Sequence, residues 1–210
     1  MKKKISISIF LFLTTLMFSQ QLTESKKKYS KVVEVELKKD AIYQKIREWI
    51  SINYKSSKDV LQLDTKDKII TKGNFVMDFL AVKTIVKYRI STTMIFSIKD
   101  DKFKIDLTPT KINAVGYPDM VLSNGLFEML MTDKLLSENE FSNFSQKMAL
   151  EQLKLLGYSD KKSKNLLKKS KKLLPEYFKS YKVNHENFKK EIKNTFSSID
   201  KTVNKQEEEW

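Results

Sequence analysis

The chain of 210 residues contains no cysteine, one histidine, two arginines, four glycines and three prolines. Without cysteine, a disulfide framework, a lipid-bearing N-terminal cysteine and a Cys-His catalytic pair are all excluded. With a single histidine, the usual zinc sets of three or four Cys and His ligands cannot be assembled. The shortage of glycine and proline argues against a long flexible linker.

The positive charge of the chain comes almost entirely from lysine. The formal net charge is +14, yet Arg47 and Arg89 are the only arginines. A basic excess ordinarily indicates nucleic acid, but arginine is the residue that binds guanine edges and phosphates with two hydrogen bonds. We therefore expect no nucleic-acid partner, and we interpret the lysines as a solvated surface attracted to anionic envelope polymers or lipid headgroups.

The first 19 residues have the pattern of a secretory signal peptide. Three lysines at positions 2–4 precede the uncharged run Ile5–Phe18, and a polar region begins at Ser19. The run is shorter than the roughly 20 residues that a membrane-spanning helix needs, although an uncleaved anchor is the alternative. The sequence thus predicts cleavage after Ser19 or Gln20 and a periplasmic or secreted protein that is not a lipoprotein.

A strand and a helix are predicted after a flexible lead over residues 20–29. Val33, Val35 and Leu37 alternate with glutamates, which is typical of a half-buried strand. Asp40 is a candidate N-cap for a helix that continues to Tyr54. The apolar stripe of this helix directs Trp49 into the core, and ligand stacking by Trp49 is the alternative. The stripe consists of Ile42, Ile46, Trp49, Ile50 and Asn53.

Four further strands are predicted between residues 61 and 107. Two are short, at residues 61–64 and at Ile69–Lys72, and Gly73-Asn74 indicates a bulge or bend. A long alternation over residues 86–98 and another over 103–107 indicate strands with one buried and one solvated face. One helix on one face of an antiparallel sheet is an α+β arrangement.

The segment AIYQKIREWISINYKSSKDVLQLDTKDKIITKG, residues 41–73, resembles a family of exported proteins of Gram-negative bacteria. It is a domain of unknown function with a TATA-binding-protein-like (TBP-like) fold. The likeness extends more weakly to YRISTTMIFSIKDDKFKIDLT and covers about residues 30–110. It implies a β-α-β-β-β-β core and no activity, because fold does not fix function. The likeness is carried by VVEVEL, Tyr43, Arg47-Glu48-Trp49, Ser56-Ser57-Lys58, Ile69-Ile70 and Gly73.

A helical C-terminal extension is predicted beyond the α+β domain, which we place at residues 30–112. Residues 113–157 form a loop and helices that complete or flank the core, with an apolar helix at Leu126–Leu136. Ser137 and Glu140 form a capping box, and Gly157 ends the helix that follows. Residues 158–210 form a lysine-rich helical tail in which Pro175 suits a first helical turn.

One stretch of this tail is the candidate contact site for a membrane or a partner. A basic amphipathic helix can lie in an anionic membrane interface. The alternative is that its leucines pack on neighbouring helices while its lysines are solvated. The candidate contact residues are Leu166, Leu167, Lys168, Lys169, Lys171, Lys172, Leu173 and Leu174.

No catalytic set is recognisable. His185 has no identifiable acid-base partner, Glu34 and Glu36 are better explained as exposed strand carboxylates than as a glycosidase pair, and no glycine-rich phosphate loop is present. We therefore predict an exported, non-enzymatic envelope protein, an interaction or ligand-binding module without metal or other cofactor. The predicted partner is an envelope protein, a glycan or anionic lipid. The alternatives are a peripheral membrane protein attached through the tail and a carboxylate-dependent hydrolase of envelope polymers.

Overall fold

The computed structural model describes residues 27–81, 84–121 and 124–205. The predicted signal peptide and most of the flexible lead lie outside these residues. The described strands are β1 (Tyr29–Glu34), β2 (Leu61–Asp64), β3 (Lys68–Ala81), β4 (Thr84–Lys99), β5 (Lys102–Ala114) and β6 (Tyr117–Val121). The described helices are α1 (Lys39–Asn53), α2 (Ser57–Val60), α3 (Asn124–Leu130), α4 (Glu138–Leu155), α5 (Asp160–Ser170) and α6 (Leu174–Asn204), with a 3₁₀ turn at Lys171–Leu173 between α5 and α6.

The strands form one sheet in the order β1-β5-β4-β3-β2, and β6 also pairs with β5. Strand β1 runs antiparallel to β5, with Tyr29 opposite Leu107 and Glu34 opposite Lys102. Strand β2 runs antiparallel to β3, with a register irregularity between Leu61 and Leu63. With α1 inserted between β1 and β2, this confirms the predicted α+β class and the β-α-β-β-β-β order.

The N-terminus of α1 differs from the prediction. The helix begins at Lys39, and its capping residue Lys38 makes no side-chain capping bond. The backbone N–H of Lys39 instead donates to the carboxylate of Asp100, at 2.8 Å. Asp40 as N-cap was therefore wrong, because the turn between β4 and β5 supplies the acceptor that a free helix N-terminus requires.

Two stretches read as irregular from the sequence are extended strand. Strand β3 continues through Gly73 to Ala81, so the strand predicted at Ile69–Lys72 is longer than expected, and Gly73 is not a bend. Strand β5 continues to Ala114, and Gly116, with φ of 85°, turns the chain into β6, which was not predicted. A positive φ suits glycine because it has no Cβ.

The predicted start and stop signals of α4 are confirmed. The Glu140 carboxylate accepts from the Ser137 backbone N–H at 2.7 Å, and the Glu140 N–H donates back to the Ser137 hydroxyl at 3.3 Å. At the other end Gly157 has φ of 77°, and the N–H groups of Gly157 and Tyr158 donate to carbonyls of the last turn. Pro175 lies in the first turn of α6 as expected. Helix α3 ends at Leu130, earlier than the predicted Leu136.

The described chain divides into two compact units. The sheet unit comprises residues 27–76, 89–111 and 189–205, and so includes α1, α2, most of the sheet and the second half of α6. Its buried apolar residues are Val33, Val35, Ile42, Ile46, Trp49, Ile50, Ile69, Ile90, Met94, Phe96, Ile98, Phe103, Ile105, Leu107, Ile192, Ile199 and Val203.

The helical unit comprises residues 77–81, 84–88, 112–121 and 124–188. One of its clusters contains Met129, Phe141 and Tyr181, with the ring centroids of Phe141 and Tyr181 stacked 5.0 Å apart. Among the described helices, none combines the length and apolar character needed to cross a membrane. The residues packed around this cluster are Leu136, Phe144, Leu174, Tyr177 and Phe178.

Candidate interaction surfaces

Trp49 is a core residue of the sheet unit, as predicted. Its side chain is 4% exposed, and its ring lies 6.3 Å from that of Phe96, measured between centroids. The indole N–H donates to the Ser198 hydroxyl of α6 at 3.0 Å. A buried tryptophan usually finds such a partner for its polar edge. Trp49 therefore connects α1, the sheet and the second half of α6, and ligand stacking is excluded by its burial.

Gly73 allows the Tyr54 ring to lie directly on strand β3. A Cβ at Gly73 would come within 2.6 Å of the Tyr54 hydroxyl oxygen and 2.7 Å of Cζ. Trp49 meets the same ring edge-on, with centroids 6.0 Å apart. Burial raises the pKa of Tyr54 to about 12, because the phenolate would lose hydration.

Tyr43 and Arg47, two residues that carry the family resemblance, bind the hairpin β2–β3. The Tyr43 hydroxyl donates to Asp64 at 3.0 Å, and Arg47 Nε lies 3.4 Å from the same carboxylate. Lys39 and Lys66 make two further ion pairs between α1 and the turn of this hairpin, with Asp67 and Asp40 respectively. These charged groups therefore connect α1 to the β2–β3 hairpin. Each exposed ion pair adds little stability by itself.

The second half of α6 covers the same side of the sheet unit as α1. Lys45 Nζ donates to the Lys205 carbonyl at 2.5 Å, and Lys31 of β1 pairs with Asp200 at 2.6 Å. Lys189 Nζ lies 4.7 Å from the centre of the Tyr29 ring. Together with the Trp49–Ser198 bond, these contacts make residues 189–205 an integral part of the sheet unit.

The opposite face of the sheet unit is the more exposed one, and most of its described side chains are polar. Side chains alternate between the faces of a strand, so the residues between the buried positions point outward. Val32 and Val76 on this face are 58% and 47% exposed. We call it the open sheet face; its exposed or half-buried residues are Ser30, Val32, Glu34, Ile70, Lys72, Asn74, Val76, Arg89, Ser91, Thr93, Ile95, Ser97, Lys99, Lys102, Lys104, Thr108 and Thr110.

Asp106 is a buried carboxylate on the open sheet face. Burial acts to raise its pKa, but the Ser30 hydroxyl at 2.6 Å and the Lys104 ammonium at 3.1 Å outweigh burial. The pKa of Asp106 therefore lies below its ordinary value, and Lys28 adds to this effect. A carboxylate that is held ionised by three partners is a structural anion and a poor general acid.

The lysine-rich stretch predicted as a contact site lies in α5, the 3₁₀ turn and the start of α6. Its leucines are half-buried, and Leu174 packs on the cluster of Met129, Phe141 and Tyr181. Lys168, Lys171 and Lys172 are exposed, and the side chain of Lys169 lies outside the described ones. The half-buried leucines are Leu166, Leu167, Leu173 and Leu174.

His185 is a buried structural residue of the helical unit. It is 5% exposed, and its Nε2 lies 3.0 Å from the backbone carbonyl oxygen of Thr132, to which an N–H at this position donates. Glu34 is an exposed residue of β1, and Glu36 is exposed just after the strand ends. Within the described ranges, no group of three or more His, Asp or Glu side chains is placed to hold a metal ion.

Three structural residues were missed by sequence reasoning. Asp100 caps α1, Asp106 is buried on the open sheet face, and Asn184 of α6 binds the backbone of β3 at Leu80. Asn184 offered one signal, since asparagine is a poor residue inside a helix unless its amide has a partner.

Part of the chain matches a known family, and the chain is also similar to solved structures. Residues 29–113 match the family model described as domain of unknown function (DUF4468) with TBP-like fold, which confirms the predicted resemblance. A TBP-like protein from Parabacteroides distasonis ATCC 8503 is 20% identical, with a TM-score of 0.34. The alignment covers 41% of this chain and 56% of that one.

A DUF4468 family protein from Bacteroides ovatus ATCC 8483 is 13% identical, with a TM-score of 0.41, and the alignment covers 82% of this chain and 94% of that one. Among curated proteins, none matches the sequence of this chain. The family match ends at residue 113, whereas the sheet unit continues into residues 189–205.

Proposed function

We propose that the protein is an exported, non-enzymatic interaction protein of the bacterial envelope, which binds its partner through the open sheet face. One observation carries this proposal. The sheet unit buries a single face under α1 and the second half of α6, and its other face presents hydroxyls, lysines and the exposed Val32 and Val76. A non-obligate protein interface is on the whole no more apolar than the rest of the protein surface, so a mixed face of this kind can form one.

The roles of the titratable residues support a non-enzymatic function. Asp106 is held ionised by Ser30 and two lysines, Asp64 binds Tyr43 and Arg47, and His185 contacts a backbone carbonyl. A general acid or base needs a pKa near the working pH and access to a substrate proton. Each of these groups instead has a packing or capping partner, which favours a binding role.

Export is supported by the sequence of residues 1–19 alone. We expect the full chain to be recovered in the periplasmic or extracellular fraction of a Gram-negative host, shortened by about 19 residues. A chain that starts at Gln20 should remain in the cytoplasm. Cytoplasmic recovery of the full-length chain would contradict export without bearing on the sheet face.

The sheet-face part is tested by site-specific photo-crosslinking in living cells. A photoreactive amino acid replaces Ser97 or Lys72 on the open sheet face, and Glu48 or Ile52 on exposed positions of α1 serves as the matched control. We expect defined adducts from the first pair only. Adding Thr93→Arg on the same face should abolish the Ser97 adduct, because a long charged side chain disturbs the interface.

The effect of Thr93→Arg decides between the outcomes. Adducts that persist with Thr93→Arg, or that form equally at Glu48 and Ile52, would show that the open sheet face is not the binding surface. Adding Ile52→Arg is the corresponding control and should leave the Ser97 adduct unchanged.

A further inference from the structure

Helix α5 and the 3₁₀ turn after it have two chemically different sides. With 3.6 residues per turn, Ser163, Leu166, Leu167 and Ser170 lie on one side of α5. Ser163 is fully buried and the other three are half-buried, so this side faces the interior of the helical unit. The opposite side carries lysines, which we call the lysine surface; its exposed members with described side chains are Lys161, Lys162, Lys164, Lys168, Lys171 and Lys172.

The lysine surface has no balancing negative charge. Residues 161–172 contain seven lysines and no acidic residue. Within the described chain, Lys162 lies over the Tyr158 ring at 4.4 Å, and the other exposed lysines of this surface take part in no ion pair. Several lysines of the sheet unit, by contrast, are paired with a carboxylate, as Lys31 is with Asp200 and Lys104 with Asp106. Such a concentration of one sign of charge attracts a strongly anionic partner.

We infer that the lysine surface docks the protein on the anionic headgroups of a phospholipid membrane by electrostatic attraction, while the leucines of the same segment stay packed in the helical unit. The position of Leu174 on the Met129, Phe141 and Tyr181 cluster supports this mode over insertion. Segment 161–174 also has no Trp or Phe, the aromatic residues with which interfacial helices enter the acyl region.

The chemistry of lysine favours lipid headgroups over nucleic acid. A lysine ammonium is a compact point charge on a flexible stem, which suits a mobile array of monovalent headgroups. The surface contains no arginine, the residue that binds phosphate pairs and base edges with fixed geometry. This inference goes beyond the proposed sheet-face binding, because it concerns different residues and either one can fail without the other.

Two variants with the same charge change test the inference. The first replaces Lys161, Lys164, Lys168 and Lys171 of the lysine surface by glutamine. The matched control replaces Lys179, Lys190, Lys193 and Lys201, four exposed lysines of α6, so that both variants lose four positive charges. Both start at Gln20, which retains all described residues, and both must unfold at the denaturant midpoint of the parent.

Partition is measured by co-flotation with phosphatidylcholine vesicles, with and without phosphatidylglycerol. We expect the parent to bind the anionic vesicles and to be released by high salt, because the Debye length falls from about 10 Å at 0.1 M to about 3 Å at 1 M. A lysine near an anionic surface contributes about fivefold in partition, so the lysine-surface variant should lose more than tenfold. The α6 control should lose less than the lysine-surface variant, because the lysines it replaces are not part of the lysine surface.

Four results would overturn the inference. Equal loss in both variants would mean attraction to net charge rather than to this surface. Binding that persists at high salt, or to vesicles without phosphatidylglycerol, would mean apolar insertion. Tighter binding to duplex DNA than to the anionic vesicles at the same salt, lost in the lysine-surface variant, would assign the surface to nucleic acid. Displacement by inorganic phosphate beyond that by chloride of equal ionic strength would assign it to free phosphate.

Discussion

Gly73 has no side chain, and this allows the Tyr54 ring to pack against β3. Alanine at this position places a Cβ against the Tyr54 ring, whose movement is limited by Trp49. We expect Gly73→Ala to lower the free energy of unfolding by about 1–3 kcal/mol, the usual range for overpacking a core. Denaturant unfolding measures this loss, and Asn74→Ala at the exposed neighbouring position is the control.

Ultraviolet titration gives a specific readout of the same contact. In the parent, Tyr54 should ionise with a pKa of about 12. If Gly73→Ala displaces the ring toward solvent, its pKa should fall toward 10, the value of an exposed tyrosine. Unchanged stability together with an unchanged tyrosine titration would show that the ring does not rest on Gly73.

Asp106 predicts a pH-dependent contribution to stability. Its pKa is lower in the folded protein than in the unfolded chain, so the folded state is favoured above the unfolded pKa of about 4. The contribution is lost as the pH falls through the lower folded pKa. We expect Asp106→Asn to destabilise the protein by about 1–2 kcal/mol at pH 7, from the loss of charged hydrogen bonds.

Urea unfolding between pH 7 and pH 2 tests whether the contribution of Asp106 to stability decreases as the pH falls. The difference between parent and Asp106→Asn should shrink as the pH falls, because the parent carboxyl then also becomes neutral. Asp59→Asn, an exposed carboxylate, should track the parent throughout. A difference that stayed constant to pH 2 would mean that packing, and not ionisation, sets the role of Asp106.

Asn184 of α6 binds the backbone of β3 at Leu80, where it takes the place of a neighbouring strand. Its carbonyl accepts from the Leu80 N–H at 2.8 Å, and its amide donates to the Leu80 carbonyl at 2.9 Å, as a neighbouring strand would. We expect Asn184→Ala to cost about 1–3 kcal/mol, because it leaves backbone groups without partners. Amide exchange at Leu80 should accelerate.

Two matched variants distinguish loss of the Asn184–Leu80 hydrogen bonds from a general destabilisation of α6. Asn184→Asp keeps the acceptor and loses the donor, so its destabilisation should be partial. Asn187→Ala, three residues along on an exposed position, should leave exchange at Leu80 unchanged. Slow exchange at Leu80 in Asn184→Ala would mean that the side chain does not cap the strand.

Elements with a strong local signal were predictable from the sequence. The alternation in β4, the apolar stripe of α1 and the Ser137–Glu140 and Gly157 signals of α4 depend on residues close in sequence, and all are present. The features that differ from the prediction depend on residues that are distant in sequence. Asp100 caps α1 from a turn 61 positions away, and Gly73 lies within β3 where the Tyr54 ring packs against it.

The candidate sites were predictable only in part, for the same reason. The lysine run was visible as composition, but the packing of Leu174 in an aromatic cluster requires Phe141 and Tyr181 to come together. The open sheet face could not be identified, because its outward residues look like those of any amphipathic strand. Which face stays open depends on the position of the second half of α6.

At the scale of the whole molecule, the central claim is that residues 189–205 complete the covered side of the TBP-like domain and leave the open sheet face as its accessible side. The family match ends at residue 113, yet Ile192, Ile199 and Val203 are buried in the sheet unit. The fluorescence of Trp49 measures directly whether residues 189–205 cover the sheet. The only other tryptophan is Trp210, and a chain ending at Lys205 lacks Trp210.

The most direct measurement compares Trp49 fluorescence in two chains, residues 20–205 and residues 20–188. We expect blue-shifted emission and cooperative unfolding in the longer chain. The shorter chain should show red-shifted emission and weakened cooperativity, because Trp49 loses Ser198 and three buried aliphatic side chains lose their place. Identical emission and unfolding in the two chains would show that residues 189–205 are not part of the domain, and the assignment of a covered and an open face would be contradicted.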